Sequence, residues 1–95
     1  MAVYAIVDTN VSNATEYEKY RQAAAPLVAQ HGGRYLVRGG QHKVLEGNWQ
    51  PHRLVLLEFP TREQAMAFWN SPEYVAVKRF RQESAQLDIV LVDGV

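Results

Sequence analysis

The chain has 95 residues, 47% of them hydrophobic, with 10 basic and 10 acidic side chains and no net formal charge. That length supports one domain, residues 1–95, and the charge balance argues against an electrostatic binder of nucleic acid. The lack of cysteine excludes a disulfide framework, a thiolate metal site and a cysteine nucleophile.

The first segment, AVYAIVD, is β-branched and aromatic and ends in turn-prone residues, which predicts a strand. It lacks a basic leader region and stops at Asp8, so it does not read as a signal peptide. No apolar run approaches the ~20 residues of a membrane span, and a soluble cytoplasmic protein is the expectation. A helix follows. Asn13 and Glu16 fit a capping box, and Tyr17, Tyr20, Ala24, Leu27, Val28 and His31 recur along one helical face. Pro26 should kink this helix without necessarily ending it, and Gly32 suits the residue after its last turn.

RYLVR predicts the second strand, with a bulge or sharp bend at Gly39 and Gly40. HKVLEG can extend that strand before GNWQP turns the chain back into RLVLLEF, the strongest strand pattern present. Thr61 and Gln64 form a second capping box for a helix whose Ala65, Phe68 and Trp69 face inward. Ser71-Pro72-Glu73 starts another helical segment, with serine at the cap and proline at the first helical position, and QLDIVLVDGV is the last strand. The order β-α-β-β-α-β, with its second helix broken, is the split βαβ pattern. An α+β ferredoxin-like domain with a four-stranded antiparallel sheet is therefore expected.

The strands do not alternate cleanly. AVYAIV and DIVLV are apolar at both parities, and RLVLL is apolar at four successive positions. Such runs signal burial on both faces, whereas the helices can cover one. A second copy packed face to face about a two-fold axis would cover the other. The expected assembly is thus a homodimeric α+β barrel, with no nucleic-acid or membrane partner. RNA-binding sheets of this topology carry exposed aromatics that RLVLLEF lacks.

GGRYLVRGG, LEGNWQPHRLVLLEFP and AMAFWNSPEYVAVKRFR closely resemble the family domain of unknown function 1330, nearly end to end and including the terminal LVDGV. The resemblance implies the dimeric α/β-barrel (ferredoxin-like) superfamily, and it implies no reaction. The wider superfamily is a mixture: cofactor-free monooxygenases, muconolactone isomerase-like enzymes, chlorite dismutase-like haem proteins and stress-induced proteins. Fold alone does not choose among them.

Arg34, Arg38, Arg53 and Glu58 sit inside the most strand-like sequence and either line a ligand site or decorate a sheet edge. Arg38, where strand meets glycine loop, can grip a carboxylate or enolate through two hydrogen bonds, or pair with Glu58 or Glu46. Arg34 shares its strand parity and points to solvent or to the end of the first helix. Glu58 interrupts an apolar strand. Half-buried and unpaired it would have a raised pKa and could exchange protons; otherwise it pairs with a strand arginine. Trp49 in GNWQP suits the cover of a neighbouring subunit or a ligand contact. Trp69 and Tyr74 suit core packing or a pocket wall beside the helix break. His31, His42 and His52 lack metal-ligand spacing, so no metal site is expected, although His52 beside Arg53 could serve as a base. No nucleophile motif, phosphate loop or dinucleotide fingerprint occurs.

The leading expectation is a pocket between sheet and helices that binds a small, partly apolar, anionic or enolic molecule. Arg38 would fix the anion and Glu58 would move protons, with Trp49, Trp69 and Tyr74 as walls. Cofactor-free isomerase or monooxygenase chemistry suits such a site. The rival is a non-catalytic ligand-binding or stress-related dimer whose arginines serve the scaffold.

Overall fold

The computed structural model describes residues 1–95. Its elements are β1 (Val3–Val11), α1 (Ala14–Gln30), β2 (Arg34–Arg38), β3 (Leu54–Phe59), α2 (Arg62–Asn70), α3 (Pro72–Val77), α4 (Arg79–Gln82) and β4 (Ala85–Asp93). The strands form one sheet in the order β2-β3-β1-β4, with every neighbouring pair antiparallel. This is the ferredoxin-like arrangement the sequence predicts. No helix is long and apolar enough to cross a membrane.

The caps act as their residue types require. Asn13 accepts from the Glu16 N–H at 3.2 Å and Thr61 from the Gln64 N–H at 3.1 Å, each satisfying a donor left free in a first helical turn. α1 runs on past Pro26 to Gln30. Gly32 then takes φ +79°, and the N–H groups of Gly32 and Gly33 donate back to Ala29 and Val28, a glycine-dependent end. At the helix break Ser71 serves both sides. Its hydroxyl donates to the Phe68 carbonyl at 2.9 Å and accepts from the Tyr74 N–H at 3.2 Å. Lys78 keeps helical dihedrals (φ −54°, ψ −26°), so α3 and α4 follow one path.

One local expectation fails in β2, and the other is met as a sharp bend at Gly39. HKVLEG does not continue the strand, because Gly39 turns away at φ +76° after donating to Leu54, and residues 39–53 form an irregular loop. The bulge lies at Leu36, not at the glycines. Arg34 pairs with Glu58 and Tyr35 with Leu57, then Val37 with Leu56 and Arg38 with Val55. The extra residue reverses side-chain parity, so Arg34 and Arg38 point to opposite faces.

The sheet register sorts the remaining side chains. Val3, Ala5 and Val7 of β1 and Val55, Leu57 and Phe59 of β3 face the helices and are buried with Ala24, Leu27, Val28, Ala65, Phe68 and Tyr74. Tyr4, Ile6, Leu54, Leu56, Val37, Val90 and Val92 face the other way, and no helix covers them. Val90 is 59% exposed and Val92 44%, a density of open apolar side chains uncommon on a sheet that meets water.

On that outer face, Asp8 ties the long loop to the sheet. Its carboxylate accepts from the Trp49 indole N–H at 3.2 Å and from the His52 backbone N–H at 2.9 Å, with the His52 ring 3.6 Å away. Burial pushes the Asp8 pKa up. The His52 and Trp49 hydrogen bonds and the His52 charge, taken together, outweigh burial and hold it below the ordinary value. A carboxyl whose pKa falls on folding stabilises the fold above its ordinary pKa, and that contribution fades as pH drops through the depressed value. Acid titration of Asp8→Asn should therefore show a flatter loss of thermal stability than wild type. In wild type, the Trp49 indole N–H resonance should shift over the same acid range. Identical acid limbs in the two proteins would count against the anchor. Glu58 is held low by its Arg34 hydrogen bond, then by Tyr4, and acts in the same direction in both.

Candidate functional site

A cavity of about 250 Å³ lies between the inner sheet face and the helices, and 18 of its 22 lining residues are hydrophobic. So apolar a lining favours a ligand with an apolar body, placed by a few polar groups. Its walls follow from the register. Ala5, Val7, Val55, Leu57, Ile89 and Leu91 form the floor, α1 contributes Tyr17, Tyr20 and Ala24, and the broken helix contributes Phe68, Trp69 and Tyr74.

The aromatic roof is continuous. Tyr74 is buried, with its ring centroid 4.4 Å from Phe68 and 5.5 Å from Trp69. Its hydroxyl shares a 2.8 Å hydrogen bond with that of Tyr20. Burial, followed by the Tyr74 interactions, pushes the Tyr20 pKa far upward. Burial also raises that of Tyr35, against the opposing pull of Arg38. Both phenols are thus hydroxyl donors at neutral pH.

Arg21, Arg38 and Arg53 bring the cationic groups. Arg21 is neutralised by Glu18 at 3.0 Å. Arg38 and Arg53 pair with no carboxylate; the acidic partners in the chain belong to other basic residues. The Arg38 guanidinium lies 4.3 Å from the Tyr35 ring centre, and that of Arg53 lies 5.9 Å from the Tyr17 ring centre. The backbone of Gly39 makes room for Arg53: a Cβ there would come within 2.6 Å of the Arg53 Nε.

Three of the five residues singled out from the sequence thus meet at the cavity: Arg38, Trp69 and Tyr74. Glu58 does not. It sits at an outward-facing position of β3, where its carboxylate accepts from the Arg34 Nε at 2.7 Å, so it is an ion-paired surface group with a lowered pKa. The strand arginine that pairs with it is Arg34, its direct cross-strand partner, while the Leu36 bulge turns Arg38 inward. Trp49 is 58% exposed and bound to Asp8, away from the cavity lining. His52 also lies beside Asp8 and outside that lining. Arg53, one of the four charged strand residues expected either to line a site or to decorate the edge, lies on the face of Val55 and Leu57 and lines the cavity. No group of three or more potential metal-ligating side chains gathers anywhere in the fold.

No carboxylate or imidazole lines the cavity. The groups it offers are guanidiniums and phenols around an apolar chamber, which are types able to hold an anion and to donate hydrogen bonds to negative charge.

Solved structures share this fold. A protein of unknown function from Rhodopseudomonas palustris superposes with a TM-score of 0.81 at 16% identity, over 99% of this chain and 82% of its own. SnoaB, a cofactor-independent oxygenase from Streptomyces nogalater, gives 0.68 at 14%, over 99% of this chain and 93% of its own. A protein from Jannaschia described as a dimeric ferredoxin-like protein of unknown function gives 0.65 at 11%, over 99% and 100%. At such identities the likeness concerns the fold. Among curated proteins no match is found. The model of the family described as domain of unknown function DUF1330 matches residues 2–95, and the chain belongs to that family.

Proposed function

We propose that this protein is a homodimer that binds a small, apolar-bodied organic anion, a carboxylate, enolate or phenolate, in the cavity between sheet and helices. One observation carries the reading: two arginines without carboxylate partners border a chamber that is otherwise almost wholly apolar. Such a charge is more stable beside an anion, and the chamber offers the anion's body a dry surface. The homodimer accounts for the uncovered apolar face, which a second copy would hide. Neighbours with this fold are described as dimeric. Trp49, anchored to Asp8 on that face, and the exposed Val44 and Leu45 of the same loop would supply apolar cover for a partner.

Where the protein acts as an enzyme, cofactor-independent chemistry on an electron-rich substrate suits the site. Arg38 would hold the enolate or phenolate from which oxygenation or isomerisation starts, and the Tyr20–Tyr74 pair would face its body. SnoaB, described as a cofactor-independent oxygenase, shares the fold. Proton transfer by Glu58 drops out of this scheme, because that residue faces away from the chamber.

Titration calorimetry with 2-naphthoate tests the anion reading. Arg38→Gln should weaken binding about tenfold, the low end for a charge-assisted hydrogen bond because Arg38 borders solvent, while 2-methylnaphthalene should show no such dependence. Equal 2-naphthoate affinity in the two proteins would reject Arg38 as the anion grip.

A further inference from the structure

The sheet register places Thr9, Arg53 and Arg38 of the cavity lining in two adjacent rows at one end. Arg53 and Leu87 flank Thr9 in the first row, and Arg38 shares the second with Val55, Val7 and Ile89. Beyond them the next row holds Tyr35, Leu57, Ala5 and Leu91, followed by Phe59 and Val3. Thr9 is only 1% exposed, and its hydroxyl has no hydrogen-bond partner in the fold. Buried hydroxyls are normally satisfied, and Thr9 lines the cavity. Its cross-strand neighbour Arg53 also lines the cavity and is without a carboxylate partner.

An apolar acid with one oxygen function uses Arg38 alone and leaves this second pair idle. We propose that the ligand carries a second oxygen on the carbon next to its acidic group, as in 2-oxo and 2-hydroxy acids or their enols, and that Thr9 and Arg53 bind that oxygen. The proposal rests on the anion reading above and narrows its ligand class. Arg38 takes the acidic oxygen, the aromatic roof covers the body, and the vicinal oxygen accepts from the Thr9 hydroxyl and the Arg53 guanidinium. Gly39 serves as a positioning residue, since any side chain there would displace Arg53.

Phenylpyruvate and 3-phenylpropanoate differ by this oxygen and are suitable calorimetric probes. Wild type should prefer phenylpyruvate by about tenfold, as expected for a hydrogen bond with a charged donor. Thr9→Val keeps the side chain's shape and removes the hydroxyl; it should lower the preference severalfold and leave 3-phenylpropanoate affinity unchanged. Arg53→Gln, at a partly exposed position, should do the same, so the test does not depend on one buried substitution. A preference that survives in both variants would overturn the assignment of Thr9 and Arg53 while leaving the anion reading intact. Binding of neither acid, together with a failure of 2-naphthoate to bind, would overturn both.

Discussion

Val90→Asp is expected to convert the proposed dimer into a monomer. Val90 stands on the outer face of β4 beside Ile6 and is 59% exposed in the single chain. In a two-fold interface every position occurs twice, so one substitution buries two carboxylates against apolar surface. Isolating a charge in such a place costs roughly 3–5 kcal/mol, and even about 4 kcal/mol in total weakens association about a thousandfold. Light scattering on gel-filtered protein at micromolar concentration should show the wild type at twice the chain mass and the variant at the chain mass. Val75→Asp provides the control. Val75 is 54% exposed but lies on α3, in the helical layer, and its substitution should leave the dimer in place. A dimeric Val90→Asp would move the interface elsewhere.

The second large effect concerns Phe59. Its side chain is 2% exposed and packs against Phe68 at 5.5 Å between ring centres. It also lies over Gly33, where a Cβ would be 2.6 Å from its Cε1 atom. Phe59→Ala removes a buried ring whose loss typically costs about 3–5 kcal/mol. The void would open into the existing cavity and not be refilled by neighbours. At about 4–8 °C per kcal/mol for a domain of this size, calorimetry at fixed protein concentration should show the melting temperature lowered by at least about 12 °C. Phe59→Leu should lose considerably less. A drop of only a few degrees for the alanine variant would mean that the strand end is not the packed joint described here.

Much of the architecture was legible because local chemistry and global fold agree. Asn13, Thr61 and Ser71 cap the helices their spacing announces, and Gly32 closes α1. The run RLVLL, apolar at both parities, announces β3 without selecting which of its faces meets the helices. The site was legible only in part, and the reason is parity. A side chain's face is set by the count of residues along a strand, and the Leu36 bulge changes that count without any glycine or proline to mark it. Arg34 and Arg38 look equivalent in RYLVR and yet lie on opposite faces. Glu58 looked like an interruption of a buried strand because the outer face of β3 is itself apolar, with Leu54 and Leu56 beside it. Trp49 drew attention as a lone aromatic, but its indole reaches Asp8 across 41 residues of sequence, a pairing no local pattern contains. Thr9 was invisible for the opposite reason: a threonine in a β-branched strand is unremarkable until its hydroxyl is found without a partner.

The bulge in β2 also sets which changes of length would leave the chamber's groups in place. Changes of length between Gly40 and Pro51 fall in a loop that lies outside the ladder, so they leave the orientation of every chamber-facing group untouched. A single deletion at Leu36 would remove only the extra residue, leaving Arg34, Tyr35, Val37 and Arg38 in plain alternation opposite Glu58, Leu57, Leu56 and Val55, so Arg38 would still face the chamber. What would turn Arg38 toward the surface proposed for the twin subunit is a flattened strand that keeps Leu36 in the ladder, because that moves Arg38 to the opposite parity.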